Sequence, residues 1–101
     1  METRIGKVTH FYNHICVAVL SLTGELKVGD VVRITGHSTD FAQQIKSLEI
    51  EHSPVNTVGP GPEVALKVIM PVRKGDAVFK VTGPEAEQLL LDEHAFFQND
   101  F

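Results

Sequence analysis

Five histidines, His10, His14, His37, His52 and His94, are the side chains of this 101-residue sequence best suited to acid–base or metal chemistry. His10 and His14 flank a short polar break and could approach one another across a hairpin. Zinc requires three or four ligands with supporting carboxylates. The sequence has no Cys-x-x-Cys and no helical His-x-x-x-His, so no metal site is expected and the histidines read as surface residues. Cys16 lies inside the apolar run 15–22 and is expected to be a buried, inert thiol, because a nucleophile needs exposure and a depressed pKa. His37 precedes Ser38-Thr39-Asp40, which are triad residue types, but adjacent loop residues rarely meet in triad geometry. Asp30 and Asp76 each follow a glycine and read as turn residues rather than a catalytic pair, which would need a shared cleft. These residues predict neither catalysis nor a cofactor.

The elements that hold these residues are organised around Glu25-Leu-Lys-Val-Gly-Asp-Val-Val-Arg-Ile-Thr-Gly36. Gly29-Asp30 supplies a tight reversal, the β-branched run 31–35 a strand, and Gly36 its end. The same grammar returns in Val72-Arg-Lys-Gly-Asp-Ala-Val-Phe-Lys-Val81, with Gly75-Asp76 at the reversal and a strand over 77–81. Residues 4–12 predict a first strand, with Gly6 at a bulge or close approach. Asn13-His14 predicts a turn, and 15–22 a strand apolar on both faces, either covered twice or docked on something outside. Residues 41–52 predict a long strand with a fault. Phe41, Gln43 and Ile45 share one face and Leu48 and Ile50 the other, so a bulge or bend is expected near Lys46-Ser47. Residues 53–62 predict a long loop, and 63–70 an alternating strand with Val64, Leu66, Val68 and Met70 inward. The period then changes. Thr82-Gly-Pro-Glu85 has the spacing of a capping box, and Ala86, Leu89, Leu90, His94 and Phe97 recur at helical spacing. Residues 1–82 thus predict an all-β domain and 83–101 an acidic C-terminal helix and tail. Leu89, Leu90 and Phe97 are either packed on the barrel or free to dock a partner, including a second copy of the chain.

The length suits one domain with one core. The net charge of −4 is unevenly spread: residues 1–82 hold all nine Lys and Arg with eight acids, and 83–101 hold five acids and no Lys or Arg. This balance disfavours strong non-specific nucleic-acid binding. A single cysteine fits a reducing compartment. The N-terminus lacks a signal-peptide apolar core and no run reaches membrane-span length, so a cytoplasmic location is expected.

Ile5-Gly-Lys-Val8, Ala18-Val19, the 25–36 segment, Thr39-Asp-Phe41, Ile45-x-Ser-x-x-Ile50 and Arg73-Lys-Gly-Asp-x-Val78 occur in order. Over residues 4–81 this resembles domain II of the translational GTPases, the barrel of elongation factor Tu, the selenocysteine-specific elongation factor and the initiation factor GTPases. The resemblance implies a closed, six-stranded Greek-key-type β-barrel; the acidic tail lies outside the family pattern, and its periodicity adds the short C-terminal α-helix. There is no phosphate loop and no guanine-reading segment, so GTP binding is not expected. What the resemblance implies is a free-standing, non-enzymatic translation-factor-like module that binds tRNA, ribosomal RNA or a ribosome-associated protein. Arg33, Lys46, Lys67, Arg73, Lys74 and Lys80 are then the candidate phosphate contacts, each otherwise a solvated surface cation. The rival reading is a protein-interaction scaffold that has lost RNA binding, favoured by the negative charge.

Overall fold

The computed structural model describes residues 1–89. In chain order the strands are β1 (Glu2–Tyr12), β2 (Val17–Leu22), β3 (Leu26–Lys27), β4 (Val31–Thr35), β5 (Asp40–Gln44), β6 (Leu48–Ile50), β7 (Ser53–Val55), β8 (Thr57–Val58), β9 (Val64–Lys67) and β10 (Ala77–Val81). Residues 84–89 are helical. Among the described residues the fold is all-β apart from this one helical segment. Eight strands form a single antiparallel sheet in the order β5-β4-β10-β1-β2-β9-β6-β7, and β3 pairs with β8.

The closed six-stranded barrel expected from the sequence is corrected here, because the ladder is open, with β5 and β7 at its edges. β7 carries Pro54, which has no N–H to donate and is at home on an edge strand. A side chain spans the gap instead. Gln43 on β5 is 3% exposed; its Nε2 donates to the Lys67 carbonyl at 3.0 Å, and its Oε1 accepts from the Ile69 N–H at 2.9 Å. The sheet curls until its edge strand reaches the end of β9, and one amide clasps the two.

Alternation along the strands builds the core. Ala18, Leu20 and Leu22 of β2, Val32 and Ile34 of β4, and Val64 and Leu66 of β9 are buried, and they cluster with Val8, Ile45, Leu48 and Val78. The alternation in β9 continues inward to Val68 but not to Met70, which is 51% exposed beyond the strand's end. β1 shifts register between Arg4 and Gly6 and again between Val8 and His10. A Cβ at Gly6 would collide with the Ser21 carbonyl oxygen, so only glycine allows β1 and β2 to approach there. The expected fault in 41–52 is a full break: Ile45, Lys46 and Ser47 leave the ladder, so β5 pairs with β4 while β6 pairs with β9. Residues 53–62 hold β7 and β8, not a plain loop.

The two Gly-Asp reversals are copies of one device. Asp30 donates its N–H to the Lys27 carbonyl at 3.1 Å and accepts from the Lys27 N–H through Oδ2 at 3.0 Å. Asp76 does the same to Arg73, at 3.0 and 2.9 Å. Gly29 and Gly75 sit at φ +99 and +95, the left-handed third position of a type II turn. The strands they launch, β4 and β10, pair with each other, Val31 to Val81 and Thr35 to Ala77. Replacing Gly75 by alanine is expected to cost about 1–2 kcal/mol, and by asparagine less, in urea denaturation. A Cβ there meets nothing within 4 Å, so the loss is one of backbone conformation alone.

The capping box does not form as expected. The Thr82 N–H donates to the Met1 carbonyl at 2.8 Å, and Glu85 lies 3.2 Å from the Met1 nitrogen. Ala86 and Leu89 are half-buried; Leu90, His94 and Phe97 lie outside the described residues.

Candidate functional site

The sequence-predicted cations do not converge. Arg33 is held by carboxylates on both sides: its Nε and Nη2 donate to Asp40 at 3.0 and 3.2 Å, and its Nη1 to Glu2 at 3.1 Å. Hydrogen bonding to Asp40, and then to Glu2, raises the Arg33 pKa above its ordinary value, and the same bond to Arg33 lowers that of Asp40. Lys80 lies 3.6 Å from Asp30, and Lys46 donates to Gln44 at 3.0 Å. Arg73 and Lys74 sit at the turn that begins β10, the length of that strand away from Lys80, and Lys67 extends from β9. Leu89 is half-buried.

A carboxylate whose pKa falls on folding adds stability above its unfolded pKa and loses it as pH drops through the folded value. Asp40→Asn is therefore expected to lower the urea midpoint at neutral pH, and the gap from wild type to close as pH falls below the ordinary carboxylate range, about 4.

Among the described residues no three His, Cys, Asp or Glu side chains converge as metal ligands. His37 and Ser38 are exposed in a loop, Thr39 is buried, and Asp40 is bound to Arg33, so they form no triad. Cys16 is corrected from buried to exposed. Tyr12 pairs with Val17, which leaves residues 13–16 in the hairpin turn and puts Cys16 in the left-handed region at φ 55.

The feature that the structure does assemble lies on the outer face of the sheet. Register aligns His10, Val19, Ala65 and Glu49 in one row across β1, β2, β9 and β6. Val19, Ala65 and Glu49 of this row line a groove of about 630 Å³ whose apolar floor is Val17, Val19 and Ala65. One wall is the β1–β2 hairpin, with Tyr12 and Ile15; the other is the β6–β7 hairpin, with Ile50, Glu51 and His52. Ile15 and Tyr12 are 60% and 50% exposed. The outward side chains of the doubly apolar β2 therefore form the floor of an open groove. Pro62 and Glu63 close one end. The bulge between Val8 and His10 sets the Thr9 hydroxyl 2.7 Å from Glu63 Oε2, to which it donates, with the Val19 carbonyl 3.1 Å away as a second acceptor.

The β6–β7 turn is conformationally costly. Ile50 pairs with Ser53, so Glu51 and His52 form a two-residue loop, at φ 49 and 66. Both central positions of such a type I′ turn favour Asn or Gly, and neither is present. The groove escapes sequence reading because its parts come from residues 12–19, 49–52 and 62–65 and meet only when β2, β9 and β6 pair. The one signal was β2, apolar on both faces.

A strongly curled, open antiparallel sheet with an acidic-rimmed groove is thus the class of domain observed. No protein-family model matches the chain. It is 37% identical over 79 residues to an uncharacterized protease of Methanocaldococcus jannaschii; the match takes in 77% of this chain, which spans only about a fifth (19%) of that relative. It shares a fold with the C-terminal domain of a Geobacillus thermoleovorans protein described as a U32 peptidase: TM-score 0.73, 21% identity, 77% of this chain and 91% of that one. The selenomethionine variant of that domain gives a TM-score of 0.72 at 20% identity, over 75% of this chain and 96% of that one.

These findings correct the translational-GTPase resemblance. The two Gly-Asp reversals, part of the ordered set of segments that carried it, are a solution to turn geometry, available to any β-domain that must launch a strand from a type II turn. The translation-factor and RNA-binding expectation, the scaffold alternative drawn from it, and the expectation of a non-enzymatic protein are overturned with it, since the matched proteins are named a protease and a peptidase. No helix among the described residues is long and apolar enough to cross a membrane.

Proposed function

We propose that this chain acts as the C-terminal β-domain of a U32-type peptidase, presenting its outer-face groove to the polypeptides such a protease handles. The observation that carries this reading is the match in fold to 91% of a domain that is itself the C-terminal piece of a U32 peptidase. The 37% identity to a segment of an archaeal protease supports it independently. Residues 1–82 then constitute the domain, and 83–101 an acidic extension of it. A single cysteine, exposed and unpaired, suits work in a reducing cytoplasm.

The test is a graft. In the Methanocaldococcus protease the segment matched by this chain is deleted or replaced by it, and cleavage of fluorescein-labelled casein is followed. Deletion is expected to raise KM more than it lowers kcat, and the graft to restore KM. Casein cleavage unaffected by deletion, or not restored by a folded graft, would overturn the reading.

A further inference from the structure

We infer that the groove binds an extended polypeptide segment carrying Lys or Arg beside an apolar side chain. The floor of Val17, Val19 and Ala65 and the exposed Ile15 offer hydrocarbon to an apolar residue. Glu49, Glu51 and Glu63 line the same groove, and no Lys or Arg does. Glu49 and Glu51 have no cationic partner among the described residues. Glu63 accepts from the Thr9 hydroxyl through one carboxylate oxygen, Oε2. In an extended segment neighbouring side chains diverge, so an apolar residue can meet the floor while a flanking cation reaches the rim.

Charge decides between occupants. Residues 83–101 carry five acids and no Lys or Arg, so the chain's own C-terminal segment has the wrong sign. A second copy docked groove to groove would set its own three glutamates against these three. Nucleic-acid phosphates would meet the same repulsion. A cationic and apolar polypeptide satisfies both floor and rim. This deepens the peptidase-domain reading and rests on it only for the idea that the polypeptide is a protease's substrate.

The test is fluorescence anisotropy on the full chain, with a short fluorescein-labelled peptide alternating leucine with lysine and the same peptide with glutamate or glutamine for lysine. The lysine peptide is expected to bind saturably and more weakly as salt rises, and the glutamate peptide not to bind. Glu49→Gln with Glu51→Gln is expected to weaken the lysine peptide about tenfold. Ile15→Ser should weaken all forms that bind, and Glu85→Gln, outside the groove, should change nothing. Melting curves by circular dichroism establish that each variant is folded. No binding of the lysine peptide at low salt overturns the inference, as does equal binding of the lysine and glutamate peptides or indifference to the groove variants. Displacement by a synthetic copy of residues 83–101 would assign the groove to the chain's own tail, and self-association that depends on Glu49 and Glu51 would assign it to a second copy. Failed peptide binding beside a graft that restores casein cleavage removes the groove inference and leaves the peptidase-domain reading standing.

Discussion

Replacing Gln43 by alanine is expected to lower stability by about 2–3 kcal/mol, the largest loss for any polar substitution proposed for this domain. The side chain is 3% exposed and makes two backbone hydrogen bonds, donating to the Lys67 carbonyl and accepting from the Ile69 N–H. Truncation strips both partners and leaves a small void beside the core. A primary amide is required because it both donates and accepts. Gln43→Glu keeps the shape but sets an acceptor against the Lys67 carbonyl oxygen and buries a charge. That carboxyl is expected to titrate above its unfolded value, so its penalty is greatest at neutral pH and shrinks as acid protonates it. Urea midpoints across pH check both variants. A Gln43→Ala variant as stable as wild type would show that the clasp contributes nothing to holding the sheet edge.

The second large effect has the opposite sign. Glu51→Asn combined with His52→Gly is expected to stabilise the domain by about 1–2 kcal/mol, because it places turn-forming residues at φ 49 and 66. Glycine gives back part of that gain through the entropy of the unfolded chain. The same double substitution removes a carboxylate and an imidazole from the groove wall and should weaken the lysine peptide. Stability gained with binding lost would mark this hairpin tip as a place where conformational strain and recognition coincide. Thermal melts and anisotropy on one preparation decide it; a destabilised variant would mean that the tip is already in its preferred conformation.

Much of the fold was legible because local chemistry and global pairing agree. Gly29-Asp30 and Gly75-Asp76 announce turns followed by strands, Val64, Leu66 and Val68 alternate into the core, and Gly6 marks an irregular first strand. The crossing of inward faces between Ile45 and Leu48 revealed the break that carries the chain from one sheet edge toward the other. Errors arose where register outweighs composition. Cys16 belongs to an apolar run, yet the Tyr12–Val17 pairing ejects it into a turn. Pro54 suggested a loop, yet an edge strand has no need of its N–H. Gln43 was placed on one face with Ile45, and both are buried, but its clasp was not legible because its backbone partners lie 24 and 26 residues onward. The groove was least legible, because no sequence window contains it. The family resemblance misled because its ordered segments are the turns and strands of a β-fold, which report backbone geometry and carry no record of activity.

The position of β10 has a consequence for biosynthesis. Among the described strands it is the last to leave the ribosome, yet it sits between β4 and β1 inside the sheet, with Val81 opposite Glu2. Until residue 81 has emerged, β1 lacks one neighbour, and the β4–β5 hairpin lacks the strand that joins it to the rest. The nascent chain has hairpins to form but no complete core to condense on, so the domain waits for its final strand and then closes in one late step.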